Sequence, residues 1–248
     1  MIALRNQSEC GGLRAAGRAA ARVLASLKGL VTPGVTTAEL DVASLEFMAG
    51  EACVSAFRGY RGFPGNICVS VNEEVVHGIG GSRRLQVGDI VKLDVGVLKA
   101  GWIGDTAATV CVGGVSECAV RLLAVTEKAL QAGIKCARHG TRLGDLGAEI
   151  QAGVEGAGFS VVREFVGHGV GRSLHEEPQV PNFGKRGTGV KLKAGMVLAI
   201  EPMVNVGGAA VRVLADDWTV VTRDGSLSAH FEHTVLVGHG DAEILTVC

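Results

Sequence analysis

The sequence predicts an α+β fold, with a curved, largely antiparallel sheet and helices on its outer face. Short runs rich in valine and isoleucine lie between glycine-containing turns, as half-buried strands do. Segments with apolar residues at helical spacing precede the strongest of these runs in both halves of the chain. A helix pair followed by a strand hairpin therefore occurs twice. We expect one domain spanning 1–248, with pseudo-repeats at roughly 13–113 and 116–240.

Helices are predicted where alanine- and leucine-rich stretches follow a residue that can cap a helix. Thr36 or Thr37 serves the second helix in this way, and Ser116 serves the third. The predicted helices span residues 9–28, 37–52, 116–138 and 142–156. The predicted strands span residues 69–71, 90–98, 103–112, 160–162, 196–204, 218–222 and 231–237.

The hairpin formed by residues 90–98 and 103–112 carries two aspartates. If its turn centres on Lys99 and Ala100, Asp94 and Asp105 face each other with Cβ atoms about 4.5–5.5 Å apart. Two carboxylates this close on an apolar ladder repel each other unless cations lie between them. A pair of divalent ions about 3.5–4 Å apart would fit that gap. The alternative is a solvated acid at the strand end, separated from the other by a one-residue register shift.

The second half of the chain repeats this arrangement. Residues 87–94 read VGDIVKLD and residues 194–201 read AGMVLAIE, so an acid follows a glycine by six positions in both. The next strand, within HFEHTVLV at 230–237, would pair Glu232 with Glu201. Such similarity indicates an internal duplication with four convergent carboxylates, which two divalent ions would balance. Chance similarity of short apolar strings is the alternative.

Three of the seven histidines lie in glycine-punctuated segments that we interpret as loops, namely His77, His168 and His175. His168 stands between two glycines, where backbone and a metal ion can approach closely. One imidazole with four carboxylates is an oxygen-rich ligand set, which suits Mn, Fe, Co or Zn better than a cysteine-bound structural zinc. A histidine packed in the core is the alternative for each residue taken alone.

The ordered set Asp94, Asp105, His168, Glu201 and Glu232 resembles the metal ligands of bacterial type I methionine aminopeptidases, which have the pita-bread fold. The strings VNEEVVHGI (71–79), GHGVGRSLHEEPQV (167–180), IEPMVN (200–205) and FEHTVLV (231–237) carry the same resemblance. It extends from about residue 13 to the C-terminus. The resemblance implies two divalent ions in the concavity of the sheet. It also implies removal of the N-terminal methionine from nascent polypeptides with a small second residue.

The same resemblance implies roles for individual side chains. Glu201 would take a proton from the attacking water, His175 would stabilise the substrate carbonyl, and His77 would contact the scissile amide. The methionine side chain would lie in a slot lined by Tyr60, Phe63, Cys68, Leu174 and Trp218. From the residues alone, an aromatic loop packed on the core is the alternative for this slot.

Two features depart from the family pattern, and a third agrees with it. Leu174 stands where bacterial members usually carry an aromatic residue, which puts the fit of the slot in question. Gly96 replaces a polar residue common two positions after the first aspartate ligand. Asn72, Glu74 and Ser228 match the family's monovalent-cation loop, so a monovalent cation is expected near Asn72 and Ser228.

Composition excludes several function classes. The net charge is −1 with interspersed signs, so we expect neither a nucleic-acid nor a membrane partner. Seven cysteines, odd in number and without a Cys-x-x-Cys pair, indicate reduced thiols and a cytoplasmic protein. By resemblance, the partners are nascent peptide N-termini, met at the ribosome, and we expect a monomer.

Three other functions compete with this one. A proline-specific pita-bread aminopeptidase shares all five ligands but usually carries an additional N-terminal domain. A non-catalytic binding module of the same fold would have lost ligands, and none is missing here. A dinuclear phosphoesterase would need basic residues beside the metal ions, for which Arg172 is the main candidate.

Overall fold

The computed structural model describes residues 2–248, which form four α-helices and fifteen strands. A short 3-10 helix covers Tyr60–Gly62. The helices are α1 (Gln7–Lys28), α2 (Thr37–Gly50), α3 (Glu117–Cys136) and α4 (Leu143–Gly156). The strands are β1 (Val54–Ser55), β2 (Cys68–Val71), β3 (Glu74–Val76), β4 (Ile90–Lys99), β5 (Trp102–Cys111), β6 (Ser160–Val161), β7 (Gly167–Gly169), β8 (Glu176–Val180), β9 (Val197–Ile200), β10 (Met203–Asn205), β11 (Val211–Val213), β12 (Val220–Thr222), β13 (Ser228–His230), β14 (Glu232–Leu236) and β15 (Glu243–Ile244).

The four helices begin close to the predicted positions because polar side chains cap them. Thr36 and Glu39 form a reciprocal capping box at the start of α2. The Ser116 side chain accepts a hydrogen bond from the backbone N–H of Ala119 and so caps α3. Asn6 caps α1, which therefore starts two residues earlier than predicted. The helix predictions are confirmed.

One nine-stranded sheet dominates the fold, and every strand pairing in it is antiparallel. Its central order is β1-β4-β5-β14-β9-β7-β8, while β2 pairs with β4 and β15 pairs with β14. Two three-stranded sheets, β13-β10-β6 and β11-β12-β3, complete the structure. The α+β, antiparallel prediction is confirmed.

Strand β4 shows how the helices and the candidate site take opposite faces of the large sheet. Its odd-numbered residues from Val91 to Val97 join α1 and α2 in one hydrophobic cluster. Side chains alternate between the two faces of a strand, so Lys92, Asp94 and Gly96 face away from these helices. A second cluster joins α3 and α4 to β9 and β14 in the same way.

The register of the β4–β5 hairpin differs from the prediction. The two-residue turn is Ala100–Gly101, both with positive φ (49° and 79°), rather than one centred on Lys99 and Ala100. A turn of this kind favours glycine at its second position, which fixes the turn there. Asp105 therefore pairs with Gly96, not with Asp94. The shift is two residues, so both aspartates stay on one face, as diagonal neighbours.

The predicted strand at 196–204 is two strands in different sheets. β9 ends at Ile200 and β10 begins at Met203, because Pro202 has no N–H to continue the ladder. The strand predicted at 231–237 is β14, and it is preceded by β13 in a smaller sheet. Glu201 thus lies at a break, where its carbonyl accepts a hydrogen bond from the Asn182 side chain.

His168 lies in a strand, β7, although the sequence predicted a loop. Flanking glycines carry no strand propensity, which is why the pattern hid this element. Both are required by close packing: an added Cβ would lie 2.3 Å from the Ala199 carbonyl oxygen at Gly167 and 2.3 Å from the Glu177 carbonyl oxygen at Gly169. The division into two pseudo-repeats stays a prediction.

We expect Gly104→Ala to destabilise the protein. Its Cβ would lie 2.4 Å from the carbonyl oxygen of Ala16, where α1 rests on β5. Such overpacking costs about 1–3 kcal/mol. Gly11→Ala, on the exposed side of the same helix with nothing within 4 Å, should instead be neutral or stabilising by up to about 1 kcal/mol. The measurement is the free energy of unfolding of both variants in urea. Equal values for the two would contradict the close approach of the Ala16 carbonyl oxygen to Gly104.

Candidate metal centre

Three neighbouring strands place three acidic side chains around one alanine. Asp94 on β4 and Glu232 on β14 are both cross-strand partners of Ala107 on β5. Asp105 precedes Ala107 by two residues on the same strand and therefore points to the same face. The three carboxylates lie on the face opposite the helices.

Two further strands extend this row. His168 on β7 pairs with Ala199 on β9, which in turn pairs with Thr234 on β14. Glu201 follows Ala199 by two residues, and Glu232 precedes Thr234 by two, so all of these side chains share one face. Sheet register therefore brings together four of the five predicted metal ligands, and Glu201 joins them directly after the end of β9.

Hydrogen bonding prepares His168 to act as a ligand through one nitrogen. Its Nδ1 lies 3.0 Å from the carbonyl oxygen of Gly169, so Nδ1 carries the proton and Nε2 keeps a free lone pair. Nε2 lies 3.7 Å from Asp105 Oδ2 and 3.5 Å from Glu201 Oε1. Ligand atoms of Asp105, His168 and Glu232 all lie within 4.8 Å of one another.

Asp105 and Glu232 are buried, and Asp94 and Glu201 are partly buried, without a compensating lysine or arginine. Burial raises the pKa of Asp94 to about 7 and that of Glu201 to about 8. Burial and the neighbouring carboxylates raise the pKa values of Asp105 and Glu232 well above their usual range. Among residues 2–248, no lysine or arginine forms an ion pair with any of the four.

This site fits a divalent metal ion. One oxygen each of Asp94, Asp105 and Glu232 is buried without a hydrogen-bond partner among the described residues. Native proteins rarely leave such atoms unpaired unless water or an ion binds them. Carboxylate oxygens with one imidazole nitrogen are ligands that divalent transition ions accept.

A cavity of about 340 Å³ adjoins the cluster and reaches every predicted site residue. The five predicted metal ligands line it together with the residues predicted for catalysis and substrate binding. The latter are Tyr60, Phe63, Cys68, His77, Leu174, His175 and Trp218.

Two histidines in the cavity are held in defined ways. His175 Nδ1 lies 2.8 Å from the Tyr60 hydroxyl, and its ring is 4.2 Å from that of His168. His77 has a positive φ of 60° and packs edge-on against Trp218 and Phe165. Strained backbone of this kind is concentrated at functional sites, because the surrounding structure must hold it. Burial lowers the pKa of His77 to about 4.

Phe57 explains the glycine at position 96. A Cβ added to Gly96 would lie 2.2 Å from the Phe57 ring, so only glycine admits this ring beside β4. Phe57 lines the cavity and packs edge-on against Phe63, which in turn packs against Trp218. Leu174 is buried in the same hydrophobic cluster.

Sequence reasoning missed several other cavity residues. Phe57 belongs to the aromatic segment that it did identify, and Phe165 lies beside the GHG motif. For the remaining residues, the sequence offers no indication of a role in the cavity except that they lie near the segments that resemble the family. The missed lining residues are Phe57, Arg61, Glu164, Phe165, Val166 and Gln179.

Two buried basic side chains near the cluster were also missed. His230 Nε2 lies 3.6 Å from Glu201 Oε2. Lys92 Nζ donates hydrogen bonds to the carbonyl oxygens of Asn72, at 2.7 Å, and Ser228, at 2.9 Å. Burial lowers the pKa of Lys92 to about 7, and the Glu74 carboxylate opposes this shift. A lysine in a strand predicts solvent exposure, so nothing in the sequence indicated its burial.

A family model described as metallopeptidase family M24 matches residues 11–239. The chain belongs to this family. The M24 match and the likeness to solved structures confirm the pita-bread prediction, and membership of a metallopeptidase family means that the chain binds divalent metal.

Relatives within the M24 family extend over the whole chain. The methionine aminopeptidase of Clostridium perfringens is 51% identical over 100% of this chain and 99% of its own length. A crystal structure of the methionine aminopeptidase from Thermotoga maritima has a TM-score of 0.98 at 46% identity, with both chains covered completely. The prolidase from Pyrococcus furiosus is 20% identical with a TM-score of 0.79, and the match covers 65% of it, which shows a shared fold alone.

Hydropathy adds one negative finding. Within residues 2–248, none of the helices combines the length and the apolar character needed to cross a membrane.

We expect the metal-free protein to lose stability as the pH rises from about 6.5 to about 8. Burial raises the pKa of Asp94 to about 7 and that of Glu201 to about 8, so the folded state holds protons in this range that unfolded carboxyl groups have already lost. The folded state then binds more protons, so the free energy of unfolding falls with rising pH. The pKa of His168 is lowered to about 3, so this residue makes stability rise with pH, but only below pH 6.5, where the unfolded imidazole still binds a proton. Above about pH 7 the folded Lys92 loses its proton while the unfolded lysine keeps it, which makes the free energy of unfolding rise with pH. This single group opposes the effect of the carboxyl groups in the cluster.

Melting temperatures in chelator at both ends of this range test the expectation. Mn²⁺ should flatten the dependence, because the ion takes the place of the protons. Asp105→Asn should make it shallower, while Asp241→Asn, at an exposed position, should leave it unchanged. Equal or greater stability of the metal-free wild type at pH 8 would contradict the uncompensated burial of these carboxylates.

Proposed function

We propose that this chain removes the N-terminal methionine from polypeptides whose second residue is small. The observation that carries the proposal is a single cavity lined both by the carboxylate cluster and by Phe63, Cys68 and Trp218. Aromatic rings attract the methionine thioether through sulfur–aromatic contacts. The full-length M24 relatives named methionine aminopeptidase support the same activity.

We propose that Asp94, Asp105, His168, Glu201 and Glu232 hold two divalent ions, drawn from Co, Mn, Fe or Zn. Ligand atoms of Asp105, His168 and Glu232 lie within 4.8 Å of one another, so these three side chains would belong to one shared ligand set. Bound divalent ions polarise a carbonyl and make water a nucleophile near neutral pH.

Glu201 is the proposed proton carrier. Burial raises its pKa to about 8, so the carboxyl group can accept and release a proton near neutral pH. It would take the proton of the attacking water and pass it to the leaving amine. Glu201 lies between the last residue of β9 and Pro202, so its side chain is located at the end of that strand.

His175 is proposed to stabilise the substrate carbonyl as it gains negative charge. When the Tyr60 hydroxyl donates to Nδ1, the proton of the neutral ring must lie on Nε2. Burial, and then Arg61, lower the pKa of His175, which keeps the ring neutral. Nε2–H is then a donor for the oxyanion. Tyr60 is thus assigned an orienting role besides lining the slot.

His77 is proposed to contact the scissile amide or its leaving nitrogen. With its pKa lowered by burial, the ring is neutral and can donate or accept a single hydrogen bond. The strained backbone and two flanking rings would hold it in place. The free amine of the substrate would bind at the metal centre, which makes the enzyme an exopeptidase.

We further propose that the partners are nascent chains at the ribosome and that the protein works as a monomer in the cytoplasm. All seven cysteines are free thiols, which agrees with a reducing compartment.

The competing functions are less well supported. The proline-specific enzymes share the fold but extend well beyond the matched region. A non-catalytic module would not need four uncompensated carboxylates, which cost stability. A phosphoesterase would need basic side chains at the cluster, and Arg172 instead packs over the Trp102 ring.

Peptide hydrolysis separates these functions. The Mn²⁺-loaded protein should release methionine from Met-Gly-Met and leave Xaa-Pro peptides and a phosphoester unchanged. Faster cleavage of the Xaa-Pro bond would overturn the proposal, as would phosphoester hydrolysis without methionine release.

We expect Asp105→Asn to reduce methionine release at least about 100-fold, since loss of mere outer-shell partners of a metal centre already costs 10–100-fold. Chelation should inactivate the wild type, and Mn²⁺, Co²⁺ or Fe²⁺ should restore it. Asp241→Asn should retain full activity. Activity of Asp105→Asn within a few-fold of wild type in metal-replete buffer would contradict the dinuclear assignment.

We expect Leu174→Phe to sharpen the preference for methionine over leucine at the first position. A ring at this buried place adds a sulfur–aromatic contact worth about 0.3–1.5 kcal/mol, or about 2- to 12-fold. The readout is the ratio of kcat/KM values for Met-Gly-Met and Leu-Gly-Met. Leu30→Phe, on an exposed side chain, is the control. An unchanged ratio would show that residue 174 does not touch the substrate side chain.

A further inference from the structure

Lys92 is a fully buried lysine whose hydrogen bonds go to backbone carbonyls. Its exposed fraction is 1%, and it is among the largest fully buried side chains of the described residues. Nζ donates to Asn72 O at 2.7 Å and to Ser228 O at 2.9 Å. No carboxylate among residues 2–248 lies within ion-pair distance of it. The ammonium is thus coordinated much as a small cation would be.

These two carbonyls belong to Asn72 and Ser228, the residues near which the family resemblance predicts a monovalent cation. Potassium binds backbone carbonyl oxygens of this kind. A separate ion does not fit here, because it would share its oxygens with a cation already in hydrogen-bonding contact. Two positive charges at that separation repel strongly in a buried environment.

The Asn72 carbonyl is held in place by its own residue. Asn72 has a positive φ of 55°, its side-chain oxygen accepts from the backbone N–H of Ile90, and its amide donates to Asp89. These contacts fix the turn between β2 and β3 against the start of β4. The carbonyl is therefore oriented before the ammonium reaches it.

We propose that Lys92 is a built-in monovalent cation, which replaces a potassium or sodium ion and frees the protein from dependence on either. Lys92 precedes Asp94 by two residues on β4, and Ser228 precedes Glu232 by four. The ammonium thereby ties together the two segments that carry these carboxylates. We assign it as a positioning residue that acts through Asp94 and Glu232.

Replacing Lys92 and adding potassium back tests the proposal. Lys92→Ser removes the ammonium, opens space and adds an oxygen ligand. Melting temperatures are measured with chelator at pH 6, below the lowered pKa of Lys92, in KCl and in choline chloride of equal ionic strength, because choline is too large to enter. Lys92→Ser should melt about 5–10 °C below wild type in choline and regain at least half of that in KCl. Wild type should melt at the same temperature in both salts.

Two further variants separate a cation site from simple packing. Lys92→Met fills the same space without charge, so it should be destabilised and should not respond to potassium. Lys99→Ser removes a lysine that donates to the carbonyl of Glu51 from the same strand, and it should show no potassium response either.

Three results would overturn the proposal. One is a wild type that is stabilised by potassium. Another is a Lys92→Ser variant that potassium does not rescue or that does not fold even in KCl. The third is equal rescue of Lys99→Ser, which would indicate a general salt effect.

A second measurement addresses the positioning role and rests on the proposed metal centre. Mn²⁺ should bind Lys92→Ser about 10- to 100-fold more weakly than wild type in choline, and potassium should restore most of that affinity. Unaltered Mn²⁺ affinity in choline would remove the positioning role. If wild type binds no Mn²⁺, the metal centre fails, whereas the melting temperatures in chelator still decide the role of Lys92.

Discussion

Four carboxylates, two buried and two partly buried, on one face of an antiparallel sheet are the constraint on which the rest of this structure depends. Burial raises the pKa values of all four, and for Asp94, Asp105 and Glu232 the neighbouring carboxylates raise them further. The register of the sheet brings these groups together, since β4, β5, β14 and β7 each carry one ligand on the same face and Glu201 follows directly after β9. The helices occupy the other face, so helix packing sets the shape of the sheet without intruding on the site.

Much of this was predictable because it follows from alternation and turn chemistry. The two-residue period places Asp94 and Asp105 on one face whichever of the two turns is used, since the alternatives differ by two residues. The prediction of direct opposition failed because Gly101 draws the turn one position along the chain. Similarly, the matching Gly–strand–acid strings predicted Glu201 beside Glu232. The β9–β14 ladder ends with Ile200 opposite His233, so Glu201 and Glu232 are the next residue on each side.

Other features depend on tertiary packing and left no local pattern. Strand β7 consists of Gly167, His168 and Gly169, which no propensity marks as a strand, yet neighbouring backbones require both glycines. Gly96 replaces a polar residue that is common in the family, because the Phe57 ring occupies the space that a side chain at this position would need. Lys92 is the strongest case, because its partners come from segments 20 and 136 residues away in the sequence. A buried cation of this kind is apparent only once those segments have been brought together.

Anomalous diffraction from crystals grown with Mn²⁺ tests the central claim most directly. The account predicts two manganese peaks within ligand distance of the four carboxylates and of His168. No peak is expected at the Asn72 and Ser228 carbonyls, where Lys92 lies. The absence of manganese at the carboxylate cluster, or manganese bound only by acids on the outer surface, would contradict the account.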